Sequence, residues 1–181
     1  MNTTKRSPAV ANLDITIRSF RESDVDFVVS RQLALYASEY GFTSGIWRSY
    51  LTDGVHNFAD RFDNTASCMY ILENNGIPSG CVAVARVDEA TAQLRFFFLE
   101  PELRGLGAGH TLLDMAIEFC KEKKYEHVFL WTFSTLMAAR HLYAGKGFRV
   151  TETRENRDWG DPVLEECWVL DLSEYPQGSG T

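Results

Sequence analysis

A glycine-rich turn between an apolar strand and an amphipathic helix is the strongest constraint on how this chain folds. The turn has the sequence RGLGAG over residues 104–109, and it follows an apolar stretch at residues 93–99 that Pro101 ends. From Gly109 to Cys120, apolar residues recur at the helical spacing i, i+3, i+4, i+7, i+8 and i+11. This order of elements predicts an anion site, because a helix N terminus presents unpaired N–H groups and glycines let the backbone approach a phosphate closely.

The spacing of the glycines narrows the kind of ligand. A Rossmann turn reads G-x-G-x-x-G, whereas Gly105, Gly107 and Gly109 alternate with single residues here, and no acidic residue follows at the end of the next strand to bind a ribose. A P-loop closes with Gly-Lys-Ser or Gly-Lys-Thr, but Gly109 is followed by His110 and Thr111. The turn is therefore typical of neither dinucleotide nor ATP sites, and taken alone it leaves open a plain tight turn without a ligand.

The remaining pattern predicts an α/β (α+β) domain. Strands are expected at residues 15–20, 67–73, 80–87, 93–99, 127–131, 147–150 and 164–172, and helices at residues 25–41, 46–61, 107–120 and 136–144. Ser23 with Asp26 resembles a capping box at the start of the first helix, and Gly54 interrupts the second. We expect a mixed, mostly antiparallel central sheet of six to seven strands flanked by helices. It forms one domain over residues 13–173, with flexible ends at residues 1–12 and 174–181.

Charge and cysteine spacing exclude some classes of function. The net charge of -7 and the pI of about 5.1 argue against a nucleic-acid binder, which needs a basic face. The four cysteines are far apart and lack metal-ligand spacing, so reduced buried thiols and no metal site are expected. Neither a signal peptide nor a run of about 18 apolar residues is found. We expect a soluble cytoplasmic protein, a monomer or homodimer, with neither nucleic acid nor membrane as a partner.

Two motifs carry a family resemblance. Residues 99–109 resemble the acetyl-CoA signature of the GCN5-related N-acetyltransferase (GNAT) superfamily: an apolar strand, Pro, then Arg or Gln-x-x-Gly-x-Gly or Ala. Residues 139–148, ARHLYAGKGF, match its second motif A-x-x-L-Y-x-x-x-G-F at the usual interval, and residues 15–26 look like its usual first strand and helix start. The likeness is strongest to the acetyltransferase domains of bacterial MarR-type regulator fusions, which share runs similar to residues 35–41, 130–132 and 168–170. The DNA binding of those fusions does not carry over.

The resemblance implies how a cofactor, acetyl-CoA, would bind. Backbone amides of the turn would hold its pyrophosphate, with Arg104 adding charge; the turn residues are Gly105, Leu106, Gly107, Ala108 and Gly109. Backbone of the preceding strand would bind the pantetheine arm in a gap between two splayed central strands; these residues are Phe97, Phe98 and Leu99. Many family members place an Asn where this chain has Leu136, and Ser134 or Thr132 is the expected substitute for that polar contact.

Two residues are the candidate catalytic pair. Tyr143 of the second motif would act as the general acid that protonates the leaving CoA thiolate; without the motif it would be read as a packing residue. Glu39 is the first candidate for the base that takes the amine proton, with Glu100 as the runner-up, although an exposed surface position suits Glu39 equally well. Aromatic residues are candidates for an acceptor pocket, with core packing as the alternative: Tyr40, Phe42, Trp47, Trp131 and Trp159.

The function implied is acetyl transfer from acetyl-CoA to a primary amine, either a small molecule or a peptide, by direct attack in a ternary complex. This makes the chain an acetyl-CoA-dependent N-acetyltransferase. The departure at Leu136 keeps open a non-catalytic acyl-CoA-binding module. Phosphoryl transfer is disfavoured because no lysine follows the turn. His110 and His141 are assigned no role, and the acceptor is not specified by the sequence.

Overall fold

The computed structural model describes residues 13–173, so the predicted flexible ends at residues 1–12 and 174–181 lie outside the described residues. The strands are β1 Ile15–Ser19, β2 Cys68–Asn74, β3 Ile77–Arg86, β4 Thr91–Leu99, β5 His127–Phe133, β6 Arg149–Asn156 and β7 Val163–Asp171. The α-helices are α1 Val25–Tyr40, α2 Gly45–Asp60, α3 Ala108–Glu122 and α4 Met137–Gly145, and 3₁₀ turns cover Glu22–Asp24 and Pro101–Leu103. The predicted α/β architecture is confirmed, with the strand number at the upper end of the expectation.

Within the described residues the strands form one sheet in the order β1-β2-β3-β4-β5-β7-β6. The pairs are antiparallel except for β4 and β5, which run parallel because α3 carries the chain across one face between them. The turn at residues 104–109 lies between the end of β4 and α3, as the sequence predicted. The glycine turn therefore lies at the end of the central parallel pair of strands.

The start of α1 differs from the prediction. The capping box expected from Ser23 and Asp26 lies two residues earlier, where the backbone N–H of Arg21 donates to Oδ2 of Asp24 at 2.7 Å. The carboxylate of Asp24 is buried and also accepts two 2.8 Å hydrogen bonds from the guanidinium of Arg18. The Ser23 interpretation was wrong because this ion pair anchors a 3₁₀ turn ahead of the helix.

Apolar side chains form two clusters on the two faces of the sheet. One cluster packs α3 against the sheet and includes Leu112, Leu113 and Ala116, each fully buried. The other packs α1 and α2 against the opposite face and includes Val28 and Val55. Successive strand residues contribute to alternate clusters, because side chains alternate across a pleated strand. Both clusters reach the central strands, where the site lies.

A β-bulge interrupts the pairing of β4 with β3. Cys81 pairs with Phe98 and Ala83 with Arg95, so two residues of β4, Phe96 and Phe97, lie opposite one residue of β3. Phe96 has a φ of 53°, and its carbonyl oxygen accepts a hydrogen bond from Sγ of Cys81 at 2.8 Å. Bulges bend a strand and end its regular pairing.

The two central strands separate from residue 94 of β4 onward, just ahead of the bulge. β4 and β5 are paired from Thr91 to Gln93 on β4 and from His127 to Phe129 on β5, and the register extends no further. The β5 side of β4 from Leu94 to Leu99 therefore lacks a partner strand among the described residues. The splayed central pair expected from the family resemblance is present.

Candidate functional site

The glycine turn has the backbone geometry that an anion cradle needs. Gly105 and Gly107 have φ values of 75° and 85°, in the left-handed region that favours glycine, and a Cβ on either would meet nothing within 4 Å. Gly107 is the N-cap of α3, so the first N–H groups of the helix have no acceptor within the helix. Leu106 is 59 % exposed, so its side chain points to solvent and only its backbone is available to a ligand here.

Gly109, the last glycine of the turn, lies at a packing contact. A Cβ on Gly109 would lie 3.4 Å from the side chain of Leu99 and 3.5 Å from that of Leu142. These are ordinary van der Waals distances, so the first turn of α3 packs against both β4 and α4. The N terminus of α3 is held at the mouth of the gap between the splayed strands.

An open cleft of about 340 Å³ runs from this turn along the end of β4. Its walls come from α1, β4, the turn and α4. The predicted residues that line it are Glu39, Phe97, Phe98, Leu99, Arg104, Gly105, Gly107 and Gly109, together with Tyr40, Leu136, His110 and His141. Of the other predicted cofactor residues, Leu106, Ala108 and Ser134 do not line it. We call this space the outer cleft.

Arg104 and Glu39 form an ion pair across the outer cleft. The guanidinium donates to the two carboxylate oxygens at 2.9 and 2.8 Å and to the carbonyl oxygen of Leu99 at 3.1 and 3.0 Å. Hydrogen bonding from Arg104 holds the pKa of Glu39 below its usual range. A carboxylate with a lowered pKa is a weak proton acceptor. This geometry disfavours Glu39 as the base and gives it a positioning role, tying α1 to the turn.

The runner-up base is also engaged elsewhere. Glu100 is buried at the end of β4 and accepts a hydrogen bond from Nη2 of Arg31 at 2.9 Å as part of a bidentate ion pair. It lines neither the outer cleft nor the cavity described next. Both glutamates named from the sequence thus brace α1 against the end of β4.

A second, smaller cavity of about 110 Å³ lies deeper in the protein. It is bounded by α1 and α2 on one side and by β4, β5 and β7 on the other. Its walls include Gln32, Tyr36, Trp47, Tyr50, Arg95, Phe97, Trp131, Thr132, Leu136, Ala139, Tyr143, Trp159 and Glu165. Tyr36, Phe97, Leu136 and Ala139 line both spaces, so the two meet at the gap between the splayed strands. We call this space the inner cavity.

Tyr143 lies on the wall of the inner cavity near this junction. Its ring is 5 % exposed and contacts the rings of Phe97 and Trp168, each at 6.2 Å between centroids. Burial raises the pKa of Tyr143, which keeps the phenol protonated. Within residues 13–173 its hydroxyl makes no hydrogen bond, so the proton is not committed to another protein group.

The aromatic candidates divide between the two spaces. Trp47, Trp131 and Trp159 line the inner cavity, and Tyr40 lines the outer cleft. Phe42 lies behind them, packed on Trp47 at 5.4 Å and on Trp159 at 6.2 Å between ring centroids. At the position of the family's Asn, Leu136 presents an apolar side chain to the junction. Of its two expected polar substitutes, Thr132 lines the inner cavity and Ser134 does not.

The sequence interpretation missed a carboxylate in the inner cavity. Glu165, 2 % exposed, accepts hydrogen bonds at its Oε2 atom from Arg154 at 2.7 Å and from Asn156 at 3.2 Å. Its Oε1 atom accepts none from the described residues. The available signal was the pair of consecutive glutamates, Glu165 and Glu166, inside the apolar strand β7. Successive side chains of a strand point to opposite faces of the sheet, so each face receives one of the two carboxylates.

Residues 13–173 contain neither a metal-ligand cluster nor a membrane-spanning helix. No group of three or more His, Cys, Asp or Glu residues in this range is arranged to hold a metal ion. No helix in the same range is long and apolar enough to cross a membrane. The four cysteines, Cys68, Cys81, Cys120 and Cys167, are buried and free. Burial raises the pKa of Cys68 to about 12, so this thiol is inert at neutral pH.

Comparisons with known proteins agree with this geometry. The model of the acetyltransferase (GNAT) family matches residues 31–148. An uncharacterized N-acetyltransferase of Methanocaldococcus jannaschii is 27 % identical over 146 residues, covering 76 % of this chain and 62 % of the relative. One from Schizosaccharomyces pombe is 32 % identical over 81 residues, covering 44 % and 50 %. This chain thus spans less than two thirds of these relatives.

A solved structure shows the same fold. The GNAT family acetyltransferase of Elizabethkingia anophelis, with acetyl-CoA bound, superposes with a TM-score of 0.62 at 20 % sequence identity. The match covers 87 % of this chain and 98 % of that one. At this identity the likeness establishes the shared fold, including the mixed sheet flanked by helices.

Proposed function

This chain belongs to the acetyltransferase (GNAT) family, and from that premise we propose that it transfers an acetyl group from acetyl-CoA to a primary amine, small or peptidic. The observation that carries the proposal is the continuity of the two spaces. The outer cleft begins at the glycine turn and meets the inner cavity at the gap between β4 and β5, beside Tyr143. Acetyl-CoA bound in the Elizabethkingia anophelis relative supports the same donor here.

The donor would bind mainly to backbone. The pyrophosphate accepts hydrogen bonds from the amides of the turn at residues 104–109 and benefits from the positive end of the α3 dipole. The pantetheine arm runs beside β4 and bonds to its free edge as an added strand does. Leu99 contributes less, because its carbonyl oxygen already accepts from Arg104. Phe97 and Phe98 therefore supply the principal strand contacts.

Chemistry then takes place at the junction of the two spaces. The neutral amine attacks the thioester carbonyl, the C–N bond forms and the C–S bond breaks. The phenol of Tyr143 donates its proton to the departing thiolate, giving free CoA thiol. The nitrogen loses one proton, and this requires a nearby acceptor with an open lone pair.

We assign proton acceptance to Glu165. Its Oε1 atom is unoccupied by described residues, whereas both oxygens of Glu39 are bound to Arg104. Glu165 pairs with Phe133 across β5 and β7, next to the junction. Of the two substitutes expected for the family's Asn, Thr132 lines the inner cavity and would supply the hydroxyl, whereas Ser134 does not line it.

Narrower features of the protein stay predictions from sequence. They are the particular likeness to domains of MarR-type regulator fusions, cytoplasmic location, and a monomeric or homodimeric state. The split into one domain at residues 13–173 with flexible ends is a prediction of the same kind.

A thiol-release assay tests the proposal. The protein is incubated with acetyl-CoA and a panel of primary amines, and free CoA is measured together with the mass of each product. We expect CoA release that depends on an amine and yields a product heavier by one acetyl group. Tight acetyl-CoA binding without turnover on any amine would instead identify a non-catalytic acyl-CoA-binding module.

A further inference from the structure

Arg95 of β4 is a cation without an anionic partner on the wall of the inner cavity. Among residues 13–173 it forms no ion pair and no hydrogen bond, and its guanidinium stacks on the ring of Phe96 at 4.6 Å. Desolvation by burial lowers its pKa, which reflects the cost of holding the charge there. Buried charges are ordinarily paired, so a partly buried, unpaired guanidinium at a cavity wall marks a place for an anion.

The helix opposite makes room for this guanidinium. A Cβ built on Gly54 would lie 2.9 Å from Nη2 of Arg95, closer than real Cβ contacts allow. Glycine in the middle of α2 costs about 0.5–1 kcal/mol of helix stability relative to alanine. The interruption seen in the sequence of this helix is therefore explained by the path of the Arg95 side chain.

Two further polar groups of the cavity wall are unsatisfied. Oε1 of Gln32 and Nε1 of Trp47 are buried and have no hydrogen-bond partner among the described residues. Buried polar atoms are nearly always hydrogen-bonded, and the exceptions call for a ligand or water. The cavity thus offers an indole donor and a guanidinium for an anion, and a carbonyl acceptor for an N–H group.

The register of the sheet separates the two ends of the cavity. Arg95 lies two residues past the last β4 residue that pairs with β5, whereas Phe133, the partner of Glu165, lies four residues past the last paired residue of β5. Because the two strands run parallel, the two positions are about two strand residues, roughly 7 Å, apart along the sheet. An amine at the Glu165 end and an anion at the Arg95 end can therefore belong to one small molecule.

We propose that the acceptor is a compact amine that carries a carboxylate, bound by the guanidinium of Arg95 and the indole N–H of Trp47. The planar guanidinium suits a carboxylate, with which it forms two parallel hydrogen bonds. The cavity of about 110 Å³ is well below the size of drug-sized ligand pockets and favours a small molecule of the amino-acid class over a peptide. This proposal rests on the proposed acetyl transfer and specifies its substrate.

Matched acceptors test it. Free L-α-amino acids are compared with the carboxamides of the same amino acids, which keep the amine and side chain but lose the negative charge. For the wild-type protein we expect kcat/KM to be at least about tenfold higher with the amino acids. Equal rates for both series would overturn the carboxylate site and leave acetyl transfer standing. Binding of acetyl-CoA without turnover on either series would overturn the proposed function itself.

Substitutions of Arg95 test whether this residue causes the preference for amino acids over carboxamides. Arg95→Met should lower kcat/KM for amino acids about ten- to hundredfold, through KM, and leave the carboxamides and the KM for acetyl-CoA nearly unchanged. Arg95→Lys should recover part of the loss because it restores the charge without the fork. Arg86→Met, on the exposed end of the neighbouring strand β3, is the matched control and should alter neither series.

Gly54→Ala separates binding from folding. The added methyl group should displace the guanidinium and raise KM for the amino acids, although alanine is the better helix former. A folded Arg95→Met or Gly54→Ala protein that discriminates between the two acceptor series as the wild type does would overturn the assignment to Arg95.

Discussion

The outer cleft and the inner cavity are built in different ways. The outer cleft uses backbone: a glycine turn, a helix N terminus and the free edge of β4, all within residues 94–109 apart from its α1 and α4 walls. The inner cavity uses side chains from α1, α2, β4, β5, α4 and β7. A site made of backbone groups can bind the part of the ligand that every donor shares. The specificity of a site made of side chains changes whenever one of its residues is substituted. This difference explains why a family can share its donor and differ in its acceptors.

The electrostatics of the two spaces differ in the same direction. In the outer cleft the charged side chains satisfy each other, as Arg104 and Glu39 do. In the inner cavity Arg95, Gln32 and Trp47 keep unsatisfied groups. The first space is held in shape by its own ion pair, and the second has polar contacts that we propose a ligand completes.

The largest expected effect follows from a charge placed in the outer cleft. Gly107→Glu brings a carboxylate to the N-cap of α3, in the anion cradle, and we expect acetyl-CoA affinity to fall about a thousandfold because like charges repel there. Calorimetric titration measures the affinity.

Gly76→Glu is the matched control for this change. Gly76 has a φ of 75° in the β2–β3 hairpin and open space around it, so the backbone strain and the new charge are similar. Gly76→Glu should lower the folding stability by a similar amount and leave acetyl-CoA binding unchanged. Equal acetyl-CoA affinity of the two variants would show that the turn does not bind the pyrophosphate.

The next effect concerns the junction where the two spaces meet. Tyr143→Phe removes the proposed acid and should lower kcat about a hundredfold with acetyl-CoA affinity nearly unchanged. Tyr125→Phe is the control, because its hydroxyl donates to the carbonyl oxygen of Ala66 at 2.6 Å and serves the fold. That variant should lose about 1 kcal/mol of stability and keep its kcat. Unchanged turnover in Tyr143→Phe would show that the phenol only packs.

A smaller effect distinguishes the two candidate bases. Glu165→Gln should lower kcat about tenfold or more and leave the KM for acetyl-CoA alone. Glu39→Gln makes the same chemical change in the outer cleft, and its principal effect should be a several-fold higher KM for acetyl-CoA through a loosened Arg104. If Glu39→Gln lowers kcat and Glu165→Gln does not, Glu39 is the base.

The pH dependence of stability gives the smallest effect. Because the folded-state pKa of Glu39 is lowered, its ion pair stabilises the fold above the unfolded pKa of about 4.3, and this contribution is lost as the pH falls through the folded pKa. Arg104 is 42 % exposed, so solvent screens the pair and its worth is no more than about 1 kcal/mol. Urea unfolding should show Glu39→Gln less stable than wild type at pH 7, with the difference closing in acid.

Much of the fold was predictable because its signals are local. The period of apolar residues marked α3, and the apolar runs at residues 67–73 and 80–87 marked β2 and β3. The bulge was not predictable: the run of three phenylalanines at residues 96–98 reads as an ordinary strand, and only the pairing of Cys81 with Phe98 and Ala83 with Arg95 reveals the extra residue. The start of α1 was misjudged because residue types alone do not show that Arg18 of β1 turns back to bind Asp24, six residues later.

The same difference between local signals and long-range contacts applies to the candidate site. The sequence by itself determined the anion turn at residues 104–109 and the second motif with Tyr143, since both depend on residues close together in the chain. Tertiary structure alone decided that Glu39 lies against Arg104, 65 residues away, and is held there as an ion pair. It also decided that Arg95, Trp47 and Glu165 face one cavity. Backbone conformation is set by neighbouring residues, whereas side chains from distant elements meet only when the whole sheet has been packed.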